Sequence, residues 1–404
     1  MRRSVLLTLL TAAIIGPAAV IVPAVSVASP TATPQIAGHQ LSRSCADPAP
    51  GQAACMAVRN TPVTAAGQAV HQDVTANVSP AGYGPAALHS AYKLPDEGGA
   101  GQTVAIVDAY DNPNAEADLA VYRTQYGLSD CTTANGCFRK VGNFGSGVLP
   151  AVDAGWAQEI SLDLDVVSAT CPGCKILLVE ANDASFINLG IAVDVAVLNG
   201  ATVVSNSYGG QSSIFDFAYD LFFYNHPGVP VTASSGDGGF GVQYPAASSF
   251  LTAVGGTSLA RTDNSRGWSE TAWSGAGSGC ATFDFKQAWQ QDAACGRRTI
   301  ADVSAVADPQ TGVAVYDSLS YKGASGWQVF GGTSVSAPLI AGVYGLAGNG
   351  RDLNAASFAY AHPEAIFDVT SGSNGSCGGS YLCTAKQGFD GPTGLGTPNG
   401  AGAF

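Results

Sequence analysis

Between residues 102 and 210 the chain alternates unbroken apolar runs with a stretch of helical periodicity, and this order restricts the fold more than any other feature. Gln102-Thr103-Val104-Ala105-Ile106-Val107-Asp108-Ala109-Tyr110 is apolar at successive positions, so both faces of a strand there need cover, as in a buried parallel sheet. Lys175 to Glu180 and Ala201 to Gly210 have the same character, and Phe186 to Leu198 between them fits a crossover helix. Strand, helix, strand in that order predicts an α/β fold with a doubly wound, mainly parallel sheet and helices on both faces. Val229 to Gly239 adds a short buried strand that runs into a glycine-rich turn.

Downstream, Gly332-Thr333-Ser334-Val335-Ser336-Ala337-Pro338 opens a helix of small residues, Leu339 to Ala347. Ser334 would lie at its N-terminus, where the partial positive charge of the helix end favours a developing anion. A serine hydroxyl is a weak nucleophile, so it needs a proton acceptor within hydrogen-bond reach. The histidines do not supply one in a suitable setting. His39 and His71 lie in a stretch expected to be removed, His89 in a helical run, and His226 and His362 each precede a proline.

A carboxyl pair is the better candidate. In Trp156 to Ala169 the apolar positions Ile160, Leu162, Val166, Val167 and Ala169 fit a mostly buried helix, which stacks Glu159 and Asp163 one turn apart on one face. Two carboxyls in a site with little water cannot both ionise easily, so one pKa rises and a proton shuttle becomes available at acid pH. Glu159 would take the Ser334 proton while Asp163 holds Glu159 in place; a solvated acidic helix face is the plainer alternative. Asp165 has no assigned role. Asp237, in Ser235-Gly236-Asp237-Gly238-Gly239, is either an ordinary turn aspartate or a carboxylic acid aimed at an oxyanion, and for the second role it must be protonated.

In this order along the chain, Glu159-Ile160-Ser161-Leu162-Asp163, Ser235 to Gly239 and Gly332 to Pro338 closely resemble the sedolisins, or serine-carboxyl peptidases, a family with a subtilisin-like fold that uses acidic residues in place of histidine. The resemblance runs from about Gly82 to the C-terminus. It implies Ser334 as nucleophile, Glu159 as general base and then acid, Asp163 as its partner, and Asp237 as oxyanion stabiliser beside the Ser334 backbone N–H. Asp108 falls where related enzymes keep an acidic residue, and is expected to support the site without taking part in the chemistry. Tyr208-Gly209-Gly210 falls at a strand end where a substrate backbone could pair as an extra strand; many sedolisins have tryptophan at the position of Tyr208. Phe367 to Gly372 and Ala385 to Gly396 resemble the family's calcium loop. The match implies the carboxylates of Asp368 and Asp390 and the carbonyls of Val369, Lys386 and Gly388 as Ca²⁺ ligands, all hard oxygen donors.

Arg2-Arg3, an apolar run from Val5 to Val22 and Ser26-Val27-Ala28 read as a secretory signal peptide over 1–28, so a secreted, extracellular protein is expected. Residues 29–81 read as a propeptide or linker, shorter than the family's usual folded propeptide, and 82–404 as the catalytic domain. The ten cysteines fall into the couples Cys45/Cys55, Cys131/Cys137, Cys171/Cys174, Cys280/Cys295 and Cys377/Cys383. With an export signal, disulfides are favoured over metal sites, although spacing alone does not fix their connectivity. A net charge of −13 argues against nucleic acid or an anionic membrane as partner. The expected partners are protein and peptide substrates of a monomeric, acid-active endopeptidase. A tripeptidyl-peptidase on the same site, a subtilase that uses a histidine such as His89 or His226, or an exported binding protein of the same fold without catalysis, are the alternatives.

Overall fold

The computed structural model describes residues 38–63, 80–145, 147–350 and 356–404. The expected signal peptide, His71 and parts of the expected propeptide lie outside the described residues. One compact unit runs from Ala37 to Phe404.

In chain order, β1 (Gly38–Arg43), β2 (Ala54–Cys55) and β3 (Val58–Val63) precede α1 (Pro85–Tyr92), β4 (Thr103–Ala109), α2 (Ala115–Gln125) and β5 (Phe138–Gly142). Then come α3 (Ala154–Thr170), β6 (Lys175–Ala181), α4 (Phe186–Leu198), β7 (Val203–Asn206) and β8 (Tyr208–Gly209). α5 (Asp216–Tyr219) leads to β9 (Val231–Ser234), β10 (Thr252–Arg261) and β11 (Trp268–Ala272), followed by β12 (Gly279–Cys280), β13 (Thr299–Ile300) and β14 (Val303–Val306). The chain closes with β15 (Val313–Tyr321), β16 (Ala324–Gly331), α6 (Thr333–Ala347), α7 (Ser357–Ala361), β17 (Ile366–Phe367) and β18 (Thr397–Pro398).

The central sheet has the order β11-β10-β9-β7-β4-β6-β5, with β14 also paired to β10; every pairing is parallel except that of β10 with β11. Alternate residues of β4 and β6 explain the unbroken apolar runs. Val104, Ile106, Ile176 and Leu178 pack with α3 and α6 on one face, while Ala105, Val107, Leu177 and Val179 pack with α4 on the other. The expected doubly wound α/β fold is therefore present, and the crossover helix α4 spans the residues anticipated for it.

α3 is buried from Gly155 to Thr170. Its start is fixed by Asp153, whose carboxylate accepts from the Gly155 and Trp156 N–H groups at 2.9 Å each. Burial on every side means that its polar residues must find partners or stay uncharged.

The residues expected as propeptide or linker form real elements between 38 and 63. β1 and β3 pair with each other, and β3 adds to the hairpin β15–β16, giving an antiparallel sheet of order β1-β3-β16-β15. The sequence reading missed these strands because Val58-Arg59-Asn60-Thr61-Pro62-Val63 has weak alternation and gains its order from a partner hairpin far along the chain. All five disulfides join the neighbouring couples.

Candidate active site

The candidate residues converge at the carboxyl ends of the parallel strands, where open α/β sheets place their ligand crevices. Asp108 closes β4 and sits in register beside Glu180 of β6. Ser207 follows β7, Asp237 lies in the turn after β9, and Ser334 occupies the first turn of α6. Glu159 and Asp163 reach the same place from α3.

The N-terminus of α6 is fastened to β9. The Ser234 hydroxyl donates to the Thr333 carbonyl (2.9 Å), the Gly236 N–H to Thr333 Oγ1 (3.2 Å), and the Thr232 hydroxyl to the Ala337 carbonyl (3.2 Å). Gly332 precedes the helix with φ of 94°. A Cβ there would collide with the Met56 carbonyl oxygen and come within 2.6 Å of Asp237 Oδ2, so only glycine fits.

Ser334 is fully buried, and its hydroxyl lies 3.2 Å from the Ser207 carbonyl oxygen. Glu159 is also fully buried; its Oε2 accepts from the Ala57 N–H at 2.8 Å. Burial first, and then the charge of Asp163, raise the Glu159 pKa well above the usual carboxylate range, while hydrogen bonds from Ser334 and the Ala57 amide pull the other way. Asp163 accepts from the Ser207 hydroxyl at 2.8 Å, and burial raises its pKa strongly against that bond. The pair is thus neither solvated nor spread along an exposed face.

Two further carboxyls stand behind it. Asp108 is fully buried with no partner on either oxygen, and its pKa is raised by burial and by the charges of Asp163, Glu159 and Glu180. Glu180, pushed up to about 8 by burial, accepts from the Asn112 N–H (3.0 Å) and lies 3.4 Å from Lys140 Nζ. Asp108 was anticipated as support; Glu180 and Ser207 were not. Their one sequence signal is position at a strand's carboxyl end.

Asp237 uses only one oxygen. Oδ1 accepts from the Thr333 N–H and hydroxyl, each at 2.8 Å, whereas Oδ2 is buried without a partner. Burial raises its pKa to about 7 despite the two hydrogen bonds. Asp237 is therefore a neutral acid at acid pH, with Oδ2 free to donate. Beside it, Ser235, Gly236, Gly238, Gly239, Gly241, Val242, Gln243 and Gly277 line a cavity of about 190 Å³.

The described histidines bind elsewhere. His39 pairs with Asn60, His89 with the Ala169 carbonyl, His226 with Asp194 and the Phe223 carbonyl, and His362 with Glu364. Asp165 points away from the site, accepting from the Tyr316 N–H at 2.8 Å.

The proposed cation ligands also come together. Asp368 Oδ2 accepts from the Gly388 N–H (2.8 Å) and Asp390 Oδ2 from the Lys386 N–H (2.9 Å), so the 386–390 turn wraps both carboxylates. Burial, with a contribution from Asp368, pushes Asp390 up to about 7, and the Lys386 ammonium turns away to the Gly379 carbonyl. Among the described residues no group of three or more His, Cys, Asp or Glu side chains could hold a metal. A cation here would depend on two carboxylates and backbone carbonyls, a donor set that suits calcium.

A family model described as the subtilase family matches residues 150–359. Kumamolisin of Bacillus sp. (strain MN-32) is 30% identical over 368 residues, which cover 80% of this chain and 63% of that protein. Sedolisin of Pseudomonas sp. (strain 101) is 33% identical over 177 residues, 39% of this chain and 29% of that protein. The solved structure of Pseudomonas sedolisin, a serine-carboxyl proteinase complexed with two molecules of pseudo-iodotyrostatin, matches with a TM-score of 0.69 at 26% identity, covering 80% of this chain and 96% of that one. The chain spans less than two thirds of the length of these two curated relatives.

Proposed function

Because the chain belongs to the sedolisin family, within the subtilase family and its subtilisin-like fold, we propose that it is a serine-carboxyl endopeptidase that hydrolyses peptide bonds through an acyl-enzyme on Ser334. One observation carries this reading: a buried serine at a helix N-terminus lies between a buried glutamate and an aspartic acid with a bare oxygen, and the described histidines are bonded to other groups.

The Ser334 proton passes to Glu159 as Oγ attacks the substrate carbonyl. Asp163, fixed by the Ser207 hydroxyl, keeps Glu159 in place and holds a second proton close by. The developing oxyanion is met by the Asp237 Oδ2 hydrogen, which is present only while that acid is protonated. Glu159 then gives its proton to the leaving amine, and a water repeats the sequence to free the acid. An acidic working range follows from Asp237, since its carboxylate would repel the oxyanion.

The endo mode is supported by the course of the chain's own residues 53–63, which pass through the catalytic groups and continue on both sides. Secretion is supported by the five disulfides, which persist in oxidising compartments. No helix among the described residues is long and apolar enough to cross a membrane. A calcium ion would be held by the carboxylates of Asp368 and Asp390 with the carbonyls of Val369, Lys386 and Gly388, and its charge would neutralise two neighbouring carboxylates.

The test is a pH–activity profile on denatured casein, with the fragments sequenced, for wild type, Ser334→Ala and Glu159→Ala. Both variants are expected to lose activity by a factor on the order of 10⁴ or more. Full activity in either would end this mechanism, and a ladder of three-residue products would move the assignment to a tripeptidyl-peptidase.

A further inference from the structure

Residues 44–57 run through the catalytic groups in the manner of a bound substrate. β2 pairs antiparallel with β8, Ala54 opposite Gly209 and Cys55 opposite Tyr208. The ladder continues with the Met56 N–H, which donates to the Ser207 carbonyl at 3.2 Å. That carbonyl oxygen is also the one 3.2 Å from Ser334 Oγ, so Met56 and the serine share a neighbour. The Met56 carbonyl oxygen and the bare Asp237 Oδ2 both press on the same side of Gly332. The next amide, Ala57 N–H, donates to Glu159 Oε2 at 2.8 Å. One peptide bond thus has its carbonyl beside the oxyanion donor and its nitrogen on the proton carrier.

The segment is held on both sides of that bond. Upstream, Cys45 and Cys55 close a disulfide loop, the Ala53 N–H donates to the Ala184 carbonyl at 2.8 Å, and the Ser44 hydroxyl donates to Gln158 at 2.9 Å. Downstream, the Ser44 N–H donates to the Ala57 carbonyl at 3.0 Å, and β3 is fixed between β1 and β16. Cys55, Met56 and Ala57 are all buried, with exposures of 0%, 1% and 0%. The Met56 side chain ends against Gly209, where an added Cβ would lie 3.2 Å from Cε. A substrate loop closed by a disulfide and anchored on both flanks loses little freedom on binding and separates slowly after cleavage.

We propose that Cys45–Ala57 is a built-in inhibitor closed by its disulfide, and that Met56–Ala57 is the enzyme's own first cleavage site, cut in place without release of either half. This inference rests on the peptidase reading above. Ser334 Oγ bonds to the Met56 carbonyl carbon and gives its proton to Glu159. The C–N bond to Ala57 breaks as Glu159 protonates the departing nitrogen. Water then attacks the ester, one of its protons passing through Glu159 back to Ser334 Oγ, and leaves a Met56 carboxyl group. One water is consumed. Until water arrives, the Ala57 amine held by β3 stays opposite Glu159 and can re-form the bond.

The full chain is incubated at acid pH, its N-termini are sequenced under denaturing conditions, and its gel-filtration profile and initial rate on denatured casein are measured. A new N-terminus at Ala57 is expected in wild type and its loss in Ser334→Ala, with the fragment ending at Met56 co-eluting until denaturant is added. Replacing Cys45 and Cys55 together by serine should free the fragment and raise the initial rate on casein at least about tenfold. Met56→Gly, which keeps the disulfide, should act in the same direction. Cleavage of casein while Met56–Ala57 stays intact overturns the inference and leaves the peptidase reading standing. Failure of wild type and of both loop variants to cut casein at any pH sinks the peptidase reading itself, and this inference with it.

Discussion

At Asp237 the two hydrogen bonds from Thr333 engage one oxygen and leave the other bare, so the side chain is chemically lopsided in a way its glycine-rich surroundings do not disclose. Burial raises its pKa to about 7, which sets the pH at which a donor turns into a repelling carboxylate. The pH profile of kcat/KM should therefore show an alkaline limb with an apparent pKa near 7, and Asp237→Asn, whose amide donates at any pH, should remove that limb. A limb that persists unchanged in the asparagine variant would assign it to another group. Glu159 and Asp163 were legible as a carboxyl pair one helical turn apart, and the structure places both on the buried helix α3. Ser207 was not, because its place at a strand's carboxyl end does not tell its part until its hydroxyl is seen on Asp163.

At the scale of elements, α3 and α6 carry the site because both are buried along their length and set against the sheet. The close approach of α6 depends on its small residues: an added Cβ on Gly342 would meet Thr170 of α3 at 2.7 Å. α3 was readable from its apolar periodicity and α6 from its run of small residues, and the strand before α4 and the strand after it from their continuous apolar character. The cap on α3 offers an element-level check. Asp153→Ala removes the acceptor for two N–H groups and should cost about 1 kcal/mol, read as a lowered denaturant midpoint at unchanged m-value. A similar loss of catalytic rate at full folding would show that the cap also sets the position of Glu159. The strands β1–β3 were not readable, since their order is supplied by the β15–β16 hairpin and by the cleft itself.

Across the whole molecule, carboxyls with raised pKa values dominate the response to pH. Besides the carboxyls of the candidate site, Asp220, Asp284 and Asp317 are pushed up to about 6, about 8 and about 7, in each case chiefly by burial; Asp183 and Glu364, nearer the surface, shift the other way. A carboxyl with a folded pKa above its unfolded one keeps a proton that the unfolded chain has already released. Its stabilisation is therefore complete below about pH 4 and is lost as pH rises through the folded pKa values, between about 6 and 8. Thermal melts should give a higher Tm near pH 4 than at pH 8, and a Tm that instead climbs over this interval would show these groups to be ionised in the folded chain. In the same melts, a calcium chelator should lower Tm at a pH above about 7, where Asp390 is ionised, and Asp390→Asn should abolish that response.

The sequence by itself determined the strand–helix–strand order between residues 102 and 210, the cysteine couples and the ordered motifs around Glu159, Asp237 and Ser334, because each is written in short-range spacing. Only the tertiary structure decided that these acids share a dry crevice and that the chain's own Met56–Ala57 bond lies across them. The Ala57 amide and the Glu159 carboxylate it meets are 102 residues apart, and the exclusion of water that sets their chemistry is the joint product of elements that adjoin only once the sheet is closed.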